Sequence, residues 1–277
     1  MKRKELSIQE IQEVSLEILK SVTDVCEELH LRYFLTYGTL IGAIRHKGFI
    51  PWDDDVDIMM PRKDYEELLS YFLTHSEDYR HLELYNPETC SDYPYMISRF
   101  CDNRYLLRVE NEKPYGIGIF IDVYPLDGLG DTLANAIHVG RKGDILSTFC
   151  YQSTRIHYDS ATSTSGHKLL KAIVKIPVYC AAKIIGKNYF QRQLNKLIRI
   201  PYDDAEYVGP VVWLVGGEEN IFPRKWFNEL IDVPYEQYCF KVPKLYDQFL
   251  RKMYGDYMQM PPEKNRVGHH FYKAFRK

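Results

Sequence analysis

The chain has 277 residues, of which 45% are apolar and 27% charged, with a net charge of −2. These values suit a soluble globular protein of one large or two small domains, each able to bury a real core, and the charge balance gives no reason to expect a nucleic-acid partner. The six cysteines (Cys26, Cys90, Cys101, Cys150, Cys180 and Cys239) stand singly, which excludes a zinc ribbon or a dense disulfide frame. MKRKELSIQEIQ turns polar where a signal peptide would turn apolar, and no uncharged apolar stretch reaches the roughly 18 residues of a bilayer span. A reduced, cytoplasmic protein is the expectation.

In chain order, Ser7 to Leu31 places Ile8, Ile11, Val14, Ile18, Val22, Val25 and Leu29 at helical spacing, with Ser7 and Glu10 set for a capping box. A short strand is expected around Tyr33–Tyr37. Gly38 then opens a helix with Leu40, Ile41, Ala43 and Ile44 on its apolar face, and Gly48 is placed to end it. Asp55–Met60 reads as a strand, and Pro61 leads into a helix through Phe72. Strands follow near 80–86, 95–109 and 117–126, then a mostly helical stretch over 132–200. Strands at 207–214 and 234–242 and a helix over Pro243–Tyr254 close the pattern. Strands and helices without regular alternation predict an α+β fold with a mixed sheet. The expected division is a core at 1–130, a helical basic insertion at 131–206 and a segment at 207–277 that packs back on the core.

The run WDDDVDIMMP holds Asp53, Asp54, Asp55 and Asp57 within five positions. Like charges at that spacing raise one another's proton affinity. A solvated acidic turn fits poorly, because Trp52 precedes the run and an apolar strand follows it. Strand alternation would send Val56, Ile58 and Met60 into the core and leave Asp55 and Asp57 on the other face. Two carboxylates side by side at the head of a buried strand call for a hard divalent cation. A calcium loop of the EF-hand kind fails at its sixth position, where Ile58 replaces the glycine, and at its twelfth, where Asp64 replaces glutamate. A catalytic Mg²⁺ or Mn²⁺ site for phosphoryl transfer remains, and it wants a further acid from a neighbouring strand. Asp122, which interrupts the apolar strand GIGIFIDVYPLDG, supplies one; Asp127, beyond Pro125, reads as a turn residue.

GTLIGAIRHKGFIPWDDDVDIMMPR and the later YGDYMQMPPEKNRVGHH together resemble the LicD family, within the nucleotidyltransferase superfamily and related to the fukutin-type ribitol-phosphate transferases. The resemblance covers most of the chain, more weakly over 131–206. It implies a nucleotidyltransferase-like core and a metal-dependent transferase. Such an enzyme moves phosphocholine, or a related phospho-alcohol, from a donor such as CDP-choline to a sugar hydroxyl of a bacterial surface glycan, for instance teichoic acid. The family's metal-binding aspartates fall on Asp53, Asp55 and Asp57 and its third acid on Asp122, with Asp55, Asp57 and Asp122 as catalytic candidates. The rival readings are an NTP-dependent nucleotidyltransferase acting on a small molecule, and a binding protein with a degenerate site.

Gly38 and Thr39 begin a helix, where free N–H groups favour an anion, and Arg45, His46 and Lys47 end it, placed to face the donor's diphosphate. Arg266, His269 and His270 are secondary candidates for contact with donor or acceptor. Between Asp159 and Asp203 there is no acidic residue, while Lys168, Lys171, Lys175, Lys183, Lys187, Arg192, Lys196 and Arg199 lie among leucines and isoleucines. This 168–200 segment is expected either to pack on the core or to meet anionic lipid at the inner face of the membrane, where a lipid-linked acceptor would reside.

Overall fold

The computed structural model describes residues 4–157, 168–213, 217–266, 268 and 272–277, with the backbone alone for 168–175 and 217. Helix α1 (Ile8–Glu28) starts as its sequence dictates. The Ser7 hydroxyl accepts the Glu10 N–H at 3.2 Å, while the Glu10 carboxylate accepts the Ser7 N–H at 2.7 Å. Its apolar stripe of Ile11, Val14, Ile18, Val22 and Val25 is buried in the main core.

Strand β1 (Phe34–Leu35) follows, then a short helix α2 (Tyr37–Ile41) that widens into a π-helical turn over Gly42–His46. Lys47, in the left-handed region at φ 62°, ends that turn; Gly48 was the expected terminator. Gly48 is glycine for a different reason: a Cβ there would stand 2.0 Å from Glu236 Oε1. After β2 (Asp57–Pro61) and α3 (Arg62–Thr74) come β3 (Leu82–Tyr85), β4 (Ser98–Asp102), β5 (Tyr105–Val109) and β6 (Ile119–Gly130). Helices α4 (Leu133–Thr154), α5 (Lys168–Ile185) and α6 (Lys187–Asn195) lead to β7 (Tyr207–Gly209) and β8 (Phe222–Pro223). A hairpin of β9 (Leu230–Tyr235) and β10 (Tyr238–Pro243), helix α7 (Tyr246–Tyr254) and β11 (Tyr272–Arg276) complete the described chain.

The main sheet runs β1-β2-β6-β4-β3, with β7 paired to β6 and β8 to β7. Strands β2 and β6 are parallel and the other pairs antiparallel, so the architecture is the mixed-sheet α+β form that the sequence predicts. Register is what positions the site. Asp57 lies directly beside Asp122 across β2 and β6, and Arg99 lies beside Asp122 from β4.

Several expectations need correction. Strand β2 begins at Asp57, so Asp55 belongs to the extended loop before it. All five residues of β2 are buried, so the face that carries Asp57 is covered as well as the face that carries Ile58. Helices α1, α3 and α4 all pack on the central strand β6, which is buried along its whole length. Asp127 is no turn residue: it lies within β6, fully buried, and accepts two hydrogen bonds from Arg62 at 2.7 and 2.9 Å. Pro125 does not stop the strand, because it falls between the β4 ladder, which ends at Val123, and the β7 ladder, which begins at Asp127. Its missing N–H therefore leaves neither antiparallel ladder short.

The long strand expected over 95–109 divides at Asn103–Arg104, and its second half, β5, pairs with β11 in a separate two-stranded sheet. The strand expected over 207–214 ends at Gly209, and the one over 234–242 is a hairpin turning at Glu236, whose φ is 52°.

Candidate active site

The acidic loop is held by its backbone. The Asp53 N–H bonds Ile50 O at 2.9 Å. The Gln12 side-chain amide from α1 donates to Ile50 O and Asp53 O at 3.3 and 2.8 Å. The Tyr272 hydroxyl donates to Asp54 O at 2.5 Å, and the Asp122 N–H donates to Val56 O at 2.8 Å. With these carbonyls engaged, the carboxylates are turned toward one another. One oxygen each from Asp53, Asp54 and Asp55 lie within 4.8 Å of one another. Asp54 was not expected among the ligands; the signal for it was the unbroken DDD run itself.

Asp57, at the head of β2, and Asp122 lie outside that three-carboxylate group, though Asp57 is near enough to feel its charges. Asp57 is 5% exposed, and its Oδ1 has no hydrogen-bond partner among the described residues. Burial, and then the charges of Asp55, Asp122 and Asp53, push its carboxyl well above the usual carboxylate range, against a hydrogen bond from Tyr124. A buried carboxylate oxygen left without a partner and crowded by three more carboxylates is costly unless a cation joins them. The donor set is entirely oxygen, which suits Mg²⁺ or Mn²⁺. The residues present therefore fit the divalent cation that the sequence implied.

Asp122 has a different electrostatic setting. Arg99 donates to its Oδ1 at 2.6 Å and to its Oδ2 at 3.3 Å, and both side chains are buried. The guanidinium lies between the Phe120 and Tyr95 rings, 3.9 and 4.3 Å from their centroids. Arg99 was missed in the sequence. Its signal was a lone charge in the otherwise uncharged stretch ISRFC, the counterpart of the aspartate that interrupts β6.

The remaining candidates divide into those that touch the cluster and those that serve the chain around it. Gly38 lies against Asp53, where a Cβ would stand 2.7 Å from Oδ2. The Thr39 hydroxyl accepts the Asp57 N–H at 2.9 Å, which ties α2 to the aspartate strand. Arg45 donates to His46 Nε2 at 2.9 Å and to Tyr257 O at 2.7 Å, so it holds the segment after α7. Burial and then the Arg45 charge lower the His46 pKa. The Lys47 carbonyl accepts the Glu236 N–H at 2.8 Å. Arg266 donates to Pro261 O at 2.9 Å, with its guanidinium 5.7 Å from the Trp52 ring centroid. Gly268 stands beside Asp54, with its ideal Cβ position 3.4 Å from Oδ2. His269 and His270 lie outside the described residues. The quoted C-terminal stretch thus reaches the acidic loop through Gly268 and Arg266.

Residues 30–158 match the family model described as LicD/FKTN/FKRP, nucleotidyltransferase domain. The lipopolysaccharide cholinephosphotransferase LicD of Haemophilus influenzae is 31% identical over 277 residues, covering 98% of this chain and 99% of that protein. The human ribitol 5-phosphate transferase FKRP is 48% identical over 42 residues, which is 15% of this chain and 8% of that protein.

Proposed function

Because this chain belongs to the LicD family, we propose that it transfers phosphocholine, or a related phospho-alcohol, from a CDP-linked donor to a sugar hydroxyl of a bacterial surface-glycan precursor such as teichoic acid. It is an enzyme of the transferase class, as the family is. The observation that carries the reading is the unpartnered Asp57 Oδ1, set beside Asp122 and the Asp53–Asp55 loop.

In the proposed reaction the acceptor hydroxyl oxygen attacks the phosphorus that bears the alcohol. Its bond to the bridging oxygen of CMP breaks, CMP leaves, and the hydroxyl proton passes to solvent water. A divalent cation held by Asp53, Asp55 and Asp57, with Asp54 within reach, would supply charge neutralisation at the donor's diphosphate. Asp122 with Arg99 keeps a fixed dipole beside that site. Since Arg99 already occupies both Asp122 oxygens, Asp122 is better suited to holding charge than to accepting the proton. Gly38 and Thr39 set the distance between α2 and the carboxylates. Arg45, His46 and Arg266 brace the segment that lies against the loop, so of the three bases Lys47 is the one proposed to meet the donor's phosphates.

The acceptor is proposed to be lipid-linked and met at the inner face of the cytoplasmic membrane. No helix among the described residues is long and apolar enough to cross a membrane. Helices α5 and α6 nevertheless expose Ile176, Ile184, Ile185 and Tyr189 in a stretch that also carries Lys183, Lys187 and Arg192, which supports peripheral contact with anionic lipid.

The test is to incubate the protein with Mg²⁺, CDP-choline and a GalNAc-containing acceptor and to assay CMP. Release that depends on both metal and acceptor is expected. Pyrophosphate release from an NTP in its place would assign the chain to nucleotidyl transfer.

A further inference from the structure

A second pocket gathers bases that the transfer chemistry leaves unused. Lys113, in the loop after β5, joins Lys183 and Lys187, at the junction of α5 and α6, around a cavity of about 160 Å³. Asp92, Glu112 and Thr154 line it too, and no residue of the acidic loop does. Neither Lys113 nor Lys183 has an ion-pair partner among the described residues. Lys187 donates to Ser91 O and, at 3.0 Å, to Tyr93 O, which leaves one of its three protons unused. Lys183, in the last turn of α5, complements that helix's carbonyl end, but this explains one base of the three.

The inner wall of this pocket is already neutral. Arg155 donates to Glu112 Oε1 at 2.7 Å, and both side chains are buried. The Tyr95 hydroxyl donates to the same carboxylate, as does that of Tyr115 at 3.3 Å. The Arg155 guanidinium lies 4.0 Å from the Tyr151 ring centroid, so the pair is held from two sides. Glu112 is thus neutralised inside the protein and offers the lysines little. Asp92 is exposed, a single carboxylate among three ammonium groups. Burial, then the charges of Lys113 and Arg155, lower the Lys183 pKa. The arrangement mirrors the acidic loop: like charges are gathered, and an ion of opposite sign relieves them.

Size and charge narrow the anion. A cavity of about 160 Å³ suits a single tetrahedral oxyanion better than a nucleotide. Lysine binds phosphate as a point charge, and three lysines match the dianion of a phosphate monoester better than the single charge of a diester. The margin is apolar: exposed Ile184 and Ile185 follow Lys183 in the chain, and exposed Ile156 follows Arg155. A phosphate seat with an apolar margin fits an amphiphile. We propose that Lys113, Lys183 and Lys187 seat the phosphate monoester head of a membrane lipid, with its chains against Ile156, Ile184 and Ile185. This rests on the membrane contact proposed above, replaces diffuse attraction with one seat, and is independent of the transfer reaction.

The experiment sediments the full chain with phosphatidylcholine vesicles containing phosphatidic acid, a monoester, or phosphatidylglycerol, a diester, at matched surface charge. The unaltered protein is expected to prefer phosphatidic acid roughly tenfold. Lys113→Gln and Lys183→Gln should each lower that preference roughly fivefold. Lys196→Gln removes a charge from the same insertion outside the pocket, so it should weaken both anionic vesicles alike and keep the preference. Lys183→Arg, which keeps the charge, should also keep it, and serves if a Gln variant fails to fold. Equal retention by the two anionic vesicles overturns the seat and leaves diffuse membrane contact standing. No retention by either overturns both. Calorimetric titration with inorganic phosphate supplies the soluble arm. Lysine-dependent binding of phosphate without a preference between vesicles would assign the pocket to a free phosphate and overturn the lipid.

Discussion

Arg99 gives two hydrogen bonds to Asp122 from the neighbouring antiparallel strand, while Asp57 lies on the other side of that same aspartate. One cation is thus built into a place where two buried carboxylates would otherwise face each other. Arg99→Met is expected to cost about 3–5 kcal/mol, the usual penalty for stranding a buried charge. The double variant Arg99→Met with Asp122→Leu should recover much of that loss. Urea unfolding of both measures it, and a double variant no more stable than the single one would show that the pair is not the source of the cost.

Asp57→Asn should make the metal-free protein more stable, by about 1 kcal/mol or a rise of roughly 2–4 °C in Tm. The charge it removes is buried, and its Oδ1 lacks a partner. The same variant should lose at least about a hundredfold in CMP release, since it removes a ligand of the proposed cation. Melting curves with and without Mg²⁺ separate the two effects: the rise on adding Mg²⁺ should shrink in the variant. Near-normal turnover would take Asp57 out of the site.

Gly38→Ala places a Cβ where Asp53 Oδ2 now lies, 2.7 Å away. Gly38 is not among the positive-φ glycines, so an alanine there is not strained by its backbone. Stability should therefore stay within about 1 kcal/mol of the original while Asp53 is displaced. The expected signature is a higher Mg²⁺ requirement for CMP release with an almost unchanged melting temperature. A large fall in melting temperature with an unaltered Mg²⁺ requirement would show that the contact is purely structural.

Ile184 is 86% exposed and Ile185 49% exposed at the end of α5. Replacing both by serine should leave the fold intact and weaken sedimentation with anionic vesicles, most clearly at low salt. Neutral vesicles provide the control. Equal, negligible binding of the original protein to both vesicle types would end the membrane reading.

What could be read in the sequence was what depends on near neighbours. The α1 stripe and the Ser7–Glu10 box are local patterns, and the structure holds both where expected; the acidic run was equally legible, though its carboxylates group as Asp53, Asp54 and Asp55. Asp122 was legible because a lone charge in an apolar strand carries a large desolvation cost. Its partner was not, because Arg99 lies 23 positions upstream and meets it only through strand pairing. The same holds for Asp127, whose partner Arg62 is 65 positions away. Strand β11 was overlooked since its pairing with β5 is visible only in the assembled fold.

The grip on the acidic loop has a consequence for how the protein is made. Tyr272 reaches Asp54 across 218 positions, and Arg45 holds Tyr257 across 212. At roughly 5–20 residues per second, a ribosome needs roughly 10–40 s to deliver the later partner after the earlier one. For that interval a nascent chain carries four crowded aspartates without the segment that braces them. The carboxylates proposed to hold the cation are thus made well before the residues that brace their loop. A chain stalled before Tyr257 would present the acidic motif without that support.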